Sequence, residues 1–298
     1  MRKLALFMCA VLIAAPAFAK MKVFVSIAPQ KYFVEQIAKD KADVFVLVPA
    51  GSSPHSYEPK PKQMTELAQS SIYFSISDPS EQAWLKKIAG VNKNLKIVAT
   101  DKGIKKRQMA EHHHHGEDEG EEEHGHEHHD HADHDDHEGM ADPHIWLDPV
   151  LVMAQAKNIA AALSQADPIN KNFYAANLNG FTNNLRVLDQ QISRITQASK
   201  NKKFMVFHPS WGYFADRYKL TQVSVEIDGK SPKPAELAKL IDTAKHEKLK
   251  TIFAQPQFSK KEVETIAKET GARVVMIDPL SADWENNMLN VAKAIAGQ

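Results

Sequence analysis

The chain has 298 residues, 37 Lys and Arg balanced by 37 Asp and Glu, 15 histidines and one cysteine. A single cysteine excludes a disulfide framework, and the zero formal charge gives no general attraction to nucleic acid. A chain of this length buries a large core without cross-links.

Residues 1–19 read as a cleavable export signal. Arg2 and Lys3 form a basic start, residues 4–15 are apolar, and Ala17-Phe18-Ala19 fits a small-residue cleavage site. The apolar run is short for a membrane span, which needs about 20 residues. Cys9 lies inside it, away from a lipid-anchoring position, and leaves with it. The mature chain is expected to begin near Lys20, in the periplasm, as a monomer. No later stretch of 18 apolar residues follows, so the body is expected to be soluble.

After the signal, apolar runs alternate with amphipathic stretches. Strands are predicted at 22–27, 43–48, 72–76 and 95–99, with helices at 30–39, 63–69 and 81–89. The run 43–48 (DVFVLV) is continuously apolar, as a strand buried on both faces would be. Residues 111–138 follow, a tract with eleven histidines and thirteen carboxylates and no Lys, Arg, Phe, Tyr, Trp or aliphatic side chain larger than Ala. Its histidines are His112, His113, His114, His115, His124, His126, His128, His129, His131, His134 and His137. Imidazole and carboxylate suit borderline divalent metals such as zinc, and a tract that cannot build a core reads as disordered metal-binding sequence. Outside the tract and the signal, 35 basic residues face 24 acidic ones, so the tract is an acidic arm on a basic body.

Beyond a short apolar run at 143–147, helices are predicted at 150–165 and 169–199. In the second, Phe173, Leu178, Phe181, Leu185, Leu188, Ile192 and Ile195 recur at three- or four-residue steps. As one piece it would span about 46 Å, a strut between two lobes; the alternative is a break at Asn179-Gly180. Strands at 203–207, 222–227, 251–254 and 273–277 then alternate with helices at 234–247, 259–270 and 283–296. The fold class expected is α/β: two lobes with mostly parallel sheets flanked by helices, joined by one long rigid helix, with a metal site in the cleft between them. The domains expected are a lobe at 20–149, connecting helices at 150–199 and a second lobe at 200–298.

Four histidines lie outside the tract: His55, His144, His208 and His246. The first three, with Asp278, stand in loops beside predicted strands, where ligands of open α/β sheets bind. Three imidazoles and one carboxylate suit a tetrahedral zinc ion and leave no open position for a catalytic water. Each also has a plainer reading: a histidine beside proline serves turns, and Asp278 or Asp283 can cap the last helix. His246 reads as a solvated residue of a Lys-rich helix. Tyr57 and Glu58 are candidates for supporting His55, and Glu226, at the end of a predicted strand, is placed to approach the cleft.

The segments GSSPHSYEPKP, DPHIWLDP, FHPSWGYFADRY, EIDGKSPKPAEL and VVMIDPLSADW resemble those of the ZnuA/TroA-like solute-binding proteins of ABC transporters, over nearly the whole mature chain. The resemblance implies capture of Zn2+ in the interlobe cleft by His55, His144, His208 and Asp278, and delivery to a membrane permease. Manganese-type members carry Glu where this chain has His208. Some zinc members place an acidic residue before the first histidine; here it is Pro54, which favours Asp278. A His/acid loop ahead of DPH is itself a feature of zinc members, read here as an auxiliary low-affinity collector. The competing readings are a manganese or iron carrier, a periplasmic zinc buffer dominated by the tract, a zinc hydrolase, and an adhesin. No HExxH motif supports a hydrolase, so no enzyme is expected.

Overall fold

The computed structural model describes residues 20–109, 141–200, 202–226 and 233–297. The signal segment and the His/acid tract, with its eleven histidines, lie outside the described residues, as does the end of the predicted strand 222–227.

Two four-stranded parallel sheets carry the chain. The first holds β1 (Met21–Val25), β2 (Ala42–Val46), β3 (Ile72–Ser75) and β4 (Lys96–Ala99), in the order β2-β1-β3-β4. The second holds β5 (Lys203–Val206), β6 (Thr221–Ser224), β7 (Thr251–Ala254) and β8 (Arg273–Met276), in the order β6-β5-β7-β8. The second half therefore repeats the topology of the first. Each sheet is flanked by helices: α1 (Ala28–Ala38), α2 (Pro61–Ala68) and α3 (Pro79–Val91) before the tract, and α6 (Gly212–Arg217), α7 (Pro234–His246), α8 (Lys260–Thr270) and α9 (Trp284–Ala296) in the second half. Between the halves lie α4 (Pro149–Ala166) and α5 (Lys171–Gln197).

One expected strand environment is corrected. Expected to be buried on both faces, β2 is instead an edge strand with alternating burial: Asp43 and Phe45 face outward, and Phe45 is 41% exposed. Phe45 stacks on Phe24 at 5.3 Å, and the Lys22 ammonium lies 5.4 Å from its ring centroid. An apolar run cannot tell an edge strand capped by such a stack from a central one. The run at 143–147 contains a single 3-10 turn, Ile145–Leu147, all three residues buried.

The long helix α5 is continuous through Asn179-Gly180 and covers 27 residues, about 40 Å. A mid-helix glycine costs only about 1 kcal/mol relative to Ala, less than the burial of the flanking Phe181 and Leu185 supplies. One apolar core runs from the first sheet across α4 and α5 into the second, joining Val25, Phe33, Leu163, Phe181, Leu185, Val206, Phe253 and Trp284. The last helix closes this core. Trp284, at the start of α9, meets the Phe33 ring of α1 edge-on at 5.1 Å, and Tyr32 donates to Glu285 at 2.7 Å. The Trp284 indole donates to the Trp146 carbonyl (2.9 Å), and the Trp146 indole to the Pro279 carbonyl (2.8 Å). The C-terminal helix is thereby pinned to elements from before and after the tract.

Trp284→Ala is expected to remove about 3–5 kcal/mol of stability, the usual cost of truncating a fully buried tryptophan. Urea unfolding monitored by far-UV circular dichroism measures this; a loss below about 1 kcal/mol would show that α9 does not hold the halves together.

Candidate metal centre

The carboxyl ends of both sheets converge on three imidazoles. His55 lies in the loop after β2, His144 opens the 3-10 turn after the tract, and His208 follows β5. Their ring centroids form a near-equilateral triangle with sides of 5.2, 5.3 and 5.4 Å. Each contributes a ligand atom to a group within 4.8 Å, the one such group of three or more metal-ligating side chains among the described residues.

The same local device orients all three rings. His55 Nδ1 donates to Asp78 Oδ2 at 2.5 Å, His144 Nδ1 to Asp142 Oδ1 at 2.7 Å, and His208 Nδ1 to Glu226 Oε2 at 2.6 Å. A carboxylate on Nδ1 fixes that nitrogen as the protonated one and leaves Nε2 with a free lone pair. The Nε2 atoms of His55 and His144 stand 3.2 Å apart. With both Nδ1 atoms donating to carboxylates, two lone pairs face each other, which repels unless a cation lies against both. Two nitrogens held about 2.0–2.1 Å from one zinc ion at the tetrahedral angle are about 3.3 Å apart. His208 Nε2 is buried without a hydrogen-bond partner. The donor set, its spacing and this orphaned nitrogen all fit a zinc ion. The cavity against the rings, about 20 Å³, holds one small ion.

The supporting carboxylates are themselves held. Asp78 follows β3 and caps α3, accepting from the Ser80 amide at 2.9 Å and the Ser80 hydroxyl at 2.6 Å. Burial raises its pKa, but the bonds from His55 and Ser80 outweigh this and bring it down to about 2. Asp142 is likewise raised by burial, yet His144 and Arg107 hold it below the usual carboxylate range. His208 is fixed through its main chain: its amide donates to Gln255 Oε1 at 3.1 Å, and Gln255 Nε2 donates back to its carbonyl at 2.7 Å. Its ring stacks on Phe258 at 4.8 Å. With a carboxylate accepting from each Nδ1, the three Nε2 atoms face the cavity as electron-rich donors, and a dication matches them.

Asp278 stands apart from the three histidines. It follows β8, and its neighbours Pro279 and Leu280, but not Asp278 itself, line the cavity. Its Oδ1 accepts from Gln257 Nε2 and from the Leu280 amide, both at 2.9 Å. Gln257, unremarkable in the sequence, lines the cavity and connects Asp278 to it; its Oε1 is buried and unpartnered. Glu226, expected only to approach the cleft, pairs with His208 Nδ1. Tyr57 instead donates to Gln63 at 2.6 Å, drawn there by the start of α2, and Glu58 is exposed. The His246 side chain is 88% exposed. Sequence reasoning passed over Asp78 and Asp142; the signal for both is an Asp-Pro step at the end of a strand or loop, which reads equally as a helix cap.

Burial brings the pKa of His144 down to about 4 from 6.5. The unfolded chain therefore takes up this proton first on acidification. The metal-free protein is expected to hold the contribution of neutral His144 above pH 6.5 and to lose up to about 3 kcal/mol as pH falls to about 4. Urea unfolding at pH 7.5 and 4.5, compared with His144→Ala, measures the loss; equal pH dependence in both proteins would refute it.

The family profile described as "ZnuA: Zinc-uptake complex component A periplasmic" matches residues 23–297. The chain is 33% identical to the high-affinity zinc uptake system protein ZnuA of Bacillus subtilis over 266 residues, 88% of this chain and 79% of that protein. It is 30% identical to the zinc-binding protein AdcA of Streptococcus pyogenes over 279 residues, 91% of this chain but 53% of AdcA. A crystal structure of ZnuA superposes with a TM-score of 0.82 at 41% identity, covering 94% of this chain and 99% of that one. A 138–173 deletion mutant of ZnuA with zinc bound does so equally well, also at 41% identity, over 93% of this chain and 97% of that one.

Proposed function

Because the chain belongs to the ZnuA family of periplasmic zinc-uptake components, we propose that it captures Zn2+ in the cleft and delivers it to an ABC-transporter permease. It is a zinc-uptake solute-binding protein and not an enzyme, with zinc as its cargo. The observation that carries the finer reading is the set of three imidazoles, each backed by a buried carboxylate and drawn from both halves of the chain.

His55, His144 and His208 are the ligands, and Asp278 is the fourth. Asp278 reaches the ion by exchanging its bond to Gln257 for the metal, a side-chain movement next to the cavity. The residues ahead of Lys20 act as a cleavable export signal to the periplasm, where the mature chain works as a monomer. The tract at 111–138 collects zinc weakly and raises its concentration beside His144. Ordering such a tract costs conformational entropy, so its sites are weaker than a preformed one. The nitrogen-rich set argues against a manganese carrier, because manganese prefers oxygen-rich octahedra.

Zinc titration against a chromophoric chelator tests this set. His55→Ala, His144→Ala and His208→Ala should each weaken the tight site by more than about 100-fold, beyond the 10–100-fold typical of changes behind the ligands. Asp278→Ala should weaken it less severely, and excision of 111–138 should remove the weak equivalents while keeping one tight site. A tight site that vanishes with the tract would instead make the protein a tract-based buffer. Zinc uptake by cells lacking the protein, restored by the tract-deleted chain, tests delivery.

On acidification, tract zinc should leave first. An imidazole with an ordinary pKa protonates near pH 6.5, whereas burial holds His144 neutral down to about 4. Stepwise zinc release followed between pH 7.5 and 4 checks the order; simultaneous release of all equivalents would contradict it.

A further inference from the structure

The described residues on either side of the tract are tied together and to the second half of the chain. Gln108 and Ala141 form an antiparallel bridge, and the Asp142 amide donates to the Arg107 carbonyl at 2.8 Å. The Tyr213 hydroxyl of α6 joins both strands, accepting from the Arg107 amide at 3.0 Å and donating to the Asp142 carbonyl at 2.8 Å. The Arg107 guanidinium then spans two carboxylates. Its Nη1 donates to Asp142 Oδ2 at 3.2 Å, and its Nε pairs with Asp216 Oδ2 of α6 at 2.9 Å.

Space for this guanidinium comes from one glycine. A Cβ on Gly212 would lie 1.5 Å from Arg107 Nη1, 2.6 Å from its Cζ and 3.1 Å from Asp142 Oδ2. Gly212 is not among the residues with positive φ, so the position calls for glycine to make room and not for backbone freedom.

Asp142 is the shared element. Its side chain is fully buried. One oxygen accepts from the His144 amide at 3.0 Å and from His144 Nδ1 at 2.7 Å; the other accepts from Arg107. We propose that Arg107 is a positioning residue for the zinc ligand His144, acting through Asp142 as a latch that Gly212 makes possible. The proposal rests on the reading of His55, His144 and His208 as the ligand set. Without the guanidinium, a fully buried carboxylate loses its cationic partner and one of its two anchors. It can then turn, which weakens its bond to Nδ1 and frees the ring that aims Nε2 at the metal. Because the other arm of the guanidinium lies on α6, the ligand is fixed relative to the half of the chain that carries His208.

A plain salt bridge between the halves would affect stability alone, so the test reads the metal. Zinc competition titration and the visible spectrum of the Co2+ form are measured on the full chain carrying Arg107→Ala, Arg107→Lys, Gly212→Ala or Asp216→Ala. Arg107→Ala and Gly212→Ala should each weaken the tight site by roughly 10–100-fold and shift the Co2+ bands. Arg107→Lys should recover part of the loss, since an ammonium restores the charge but not the two-pronged fork. Asp216→Ala, which leaves the bond to Asp142 in place, should cost less. Gly212→Ala should lower the melting temperature, because its Cβ drives the guanidinium off a fully buried carboxylate; the Co2+ spectrum of the folded protein, which a purely structural loss would leave in place, separates the latch from folding. In an Asp142→Ala background, Arg107→Ala should add nothing. Unchanged affinity and spectrum in both Arg107→Ala and Gly212→Ala would overturn the latch, as would a full Arg107→Ala effect without Asp142. Should Arg107→Ala fail to fold, Gly212→Ala and Arg107→Lys decide alone. His144→Ala is the control: if it keeps the tight site, the ligand assignment fails, and not the latch.

Discussion

A buried carboxylate behind each imidazole is the constraint on which the rest depends. Asp78, Asp142 and Glu226 are each nearly or fully removed from water, and each spends an oxygen on an Nδ1 atom. Burying an ionised carboxylate costs several kcal/mol unless charge and hydrogen bonds answer it. One neutral imidazole N–H answers only part of that cost. Part of the remainder is met by local donors, such as the Ser80 amide and hydroxyl at Asp78 and the Arg107 guanidinium at Asp142; a dication at the Nε2 atoms would meet the rest. The arrangement therefore suits zinc through geometry and through charge together.

The fold serves this constraint by repetition. Both sheets have the same strand order, and each sends ligand-bearing or carboxylate-bearing loops from its carboxyl ends. The two sets meet because the halves share one apolar core around α4 and α5, closed by α9 and the indoles of Trp146 and Trp284. A wide opening of the halves would expose much of that core at about 25 cal/mol per Å². Ligand exchange is cheaper through loop movements at the cleft, where His55 keeps 30% of its side-chain surface and the cavity wall ends in the Pro279–Leu280 turn.

Most of this was legible in the residues, for physical reasons that also mark where legibility stops. Strands and helices followed hydrophobic period, and the convergence of His55, His144 and His208 followed from their placement after strands together with the family resemblance. The face of β2 was not legible, because a continuous apolar run is the same sequence at an edge and in the middle of a sheet. Asp78 was hidden behind its second role as a helix cap. Arg107 and Asp142 are 35 positions apart, with the tract between them, and only the tertiary fold brings them together. The short helix α6, whose Gly212 and Tyr213 receive Arg107, is too brief for any periodic signal.

The choice of metal follows from what the cavity makes an ion give up. Room for one small ion, walled by Trp146, Phe258 and Pro279, means that an entering cation must shed most of its water. Magnesium dehydrates reluctantly, and calcium and manganese want six or more oxygen donors. Three imidazole nitrogens repay zinc for lost water far better than they repay those ions. Copper is not excluded by affinity, since it binds such donors more tightly than zinc. What resists copper is shape: the near-equilateral set of rings, each locked by its carboxylate, imposes a pyramidal base suited to a tetrahedron and costly to flatten into the square plane that Cu2+ prefers. The carboxylates that orient the imidazoles thus also set the discrimination, because a ring free to turn about its Cβ would adapt to either metal.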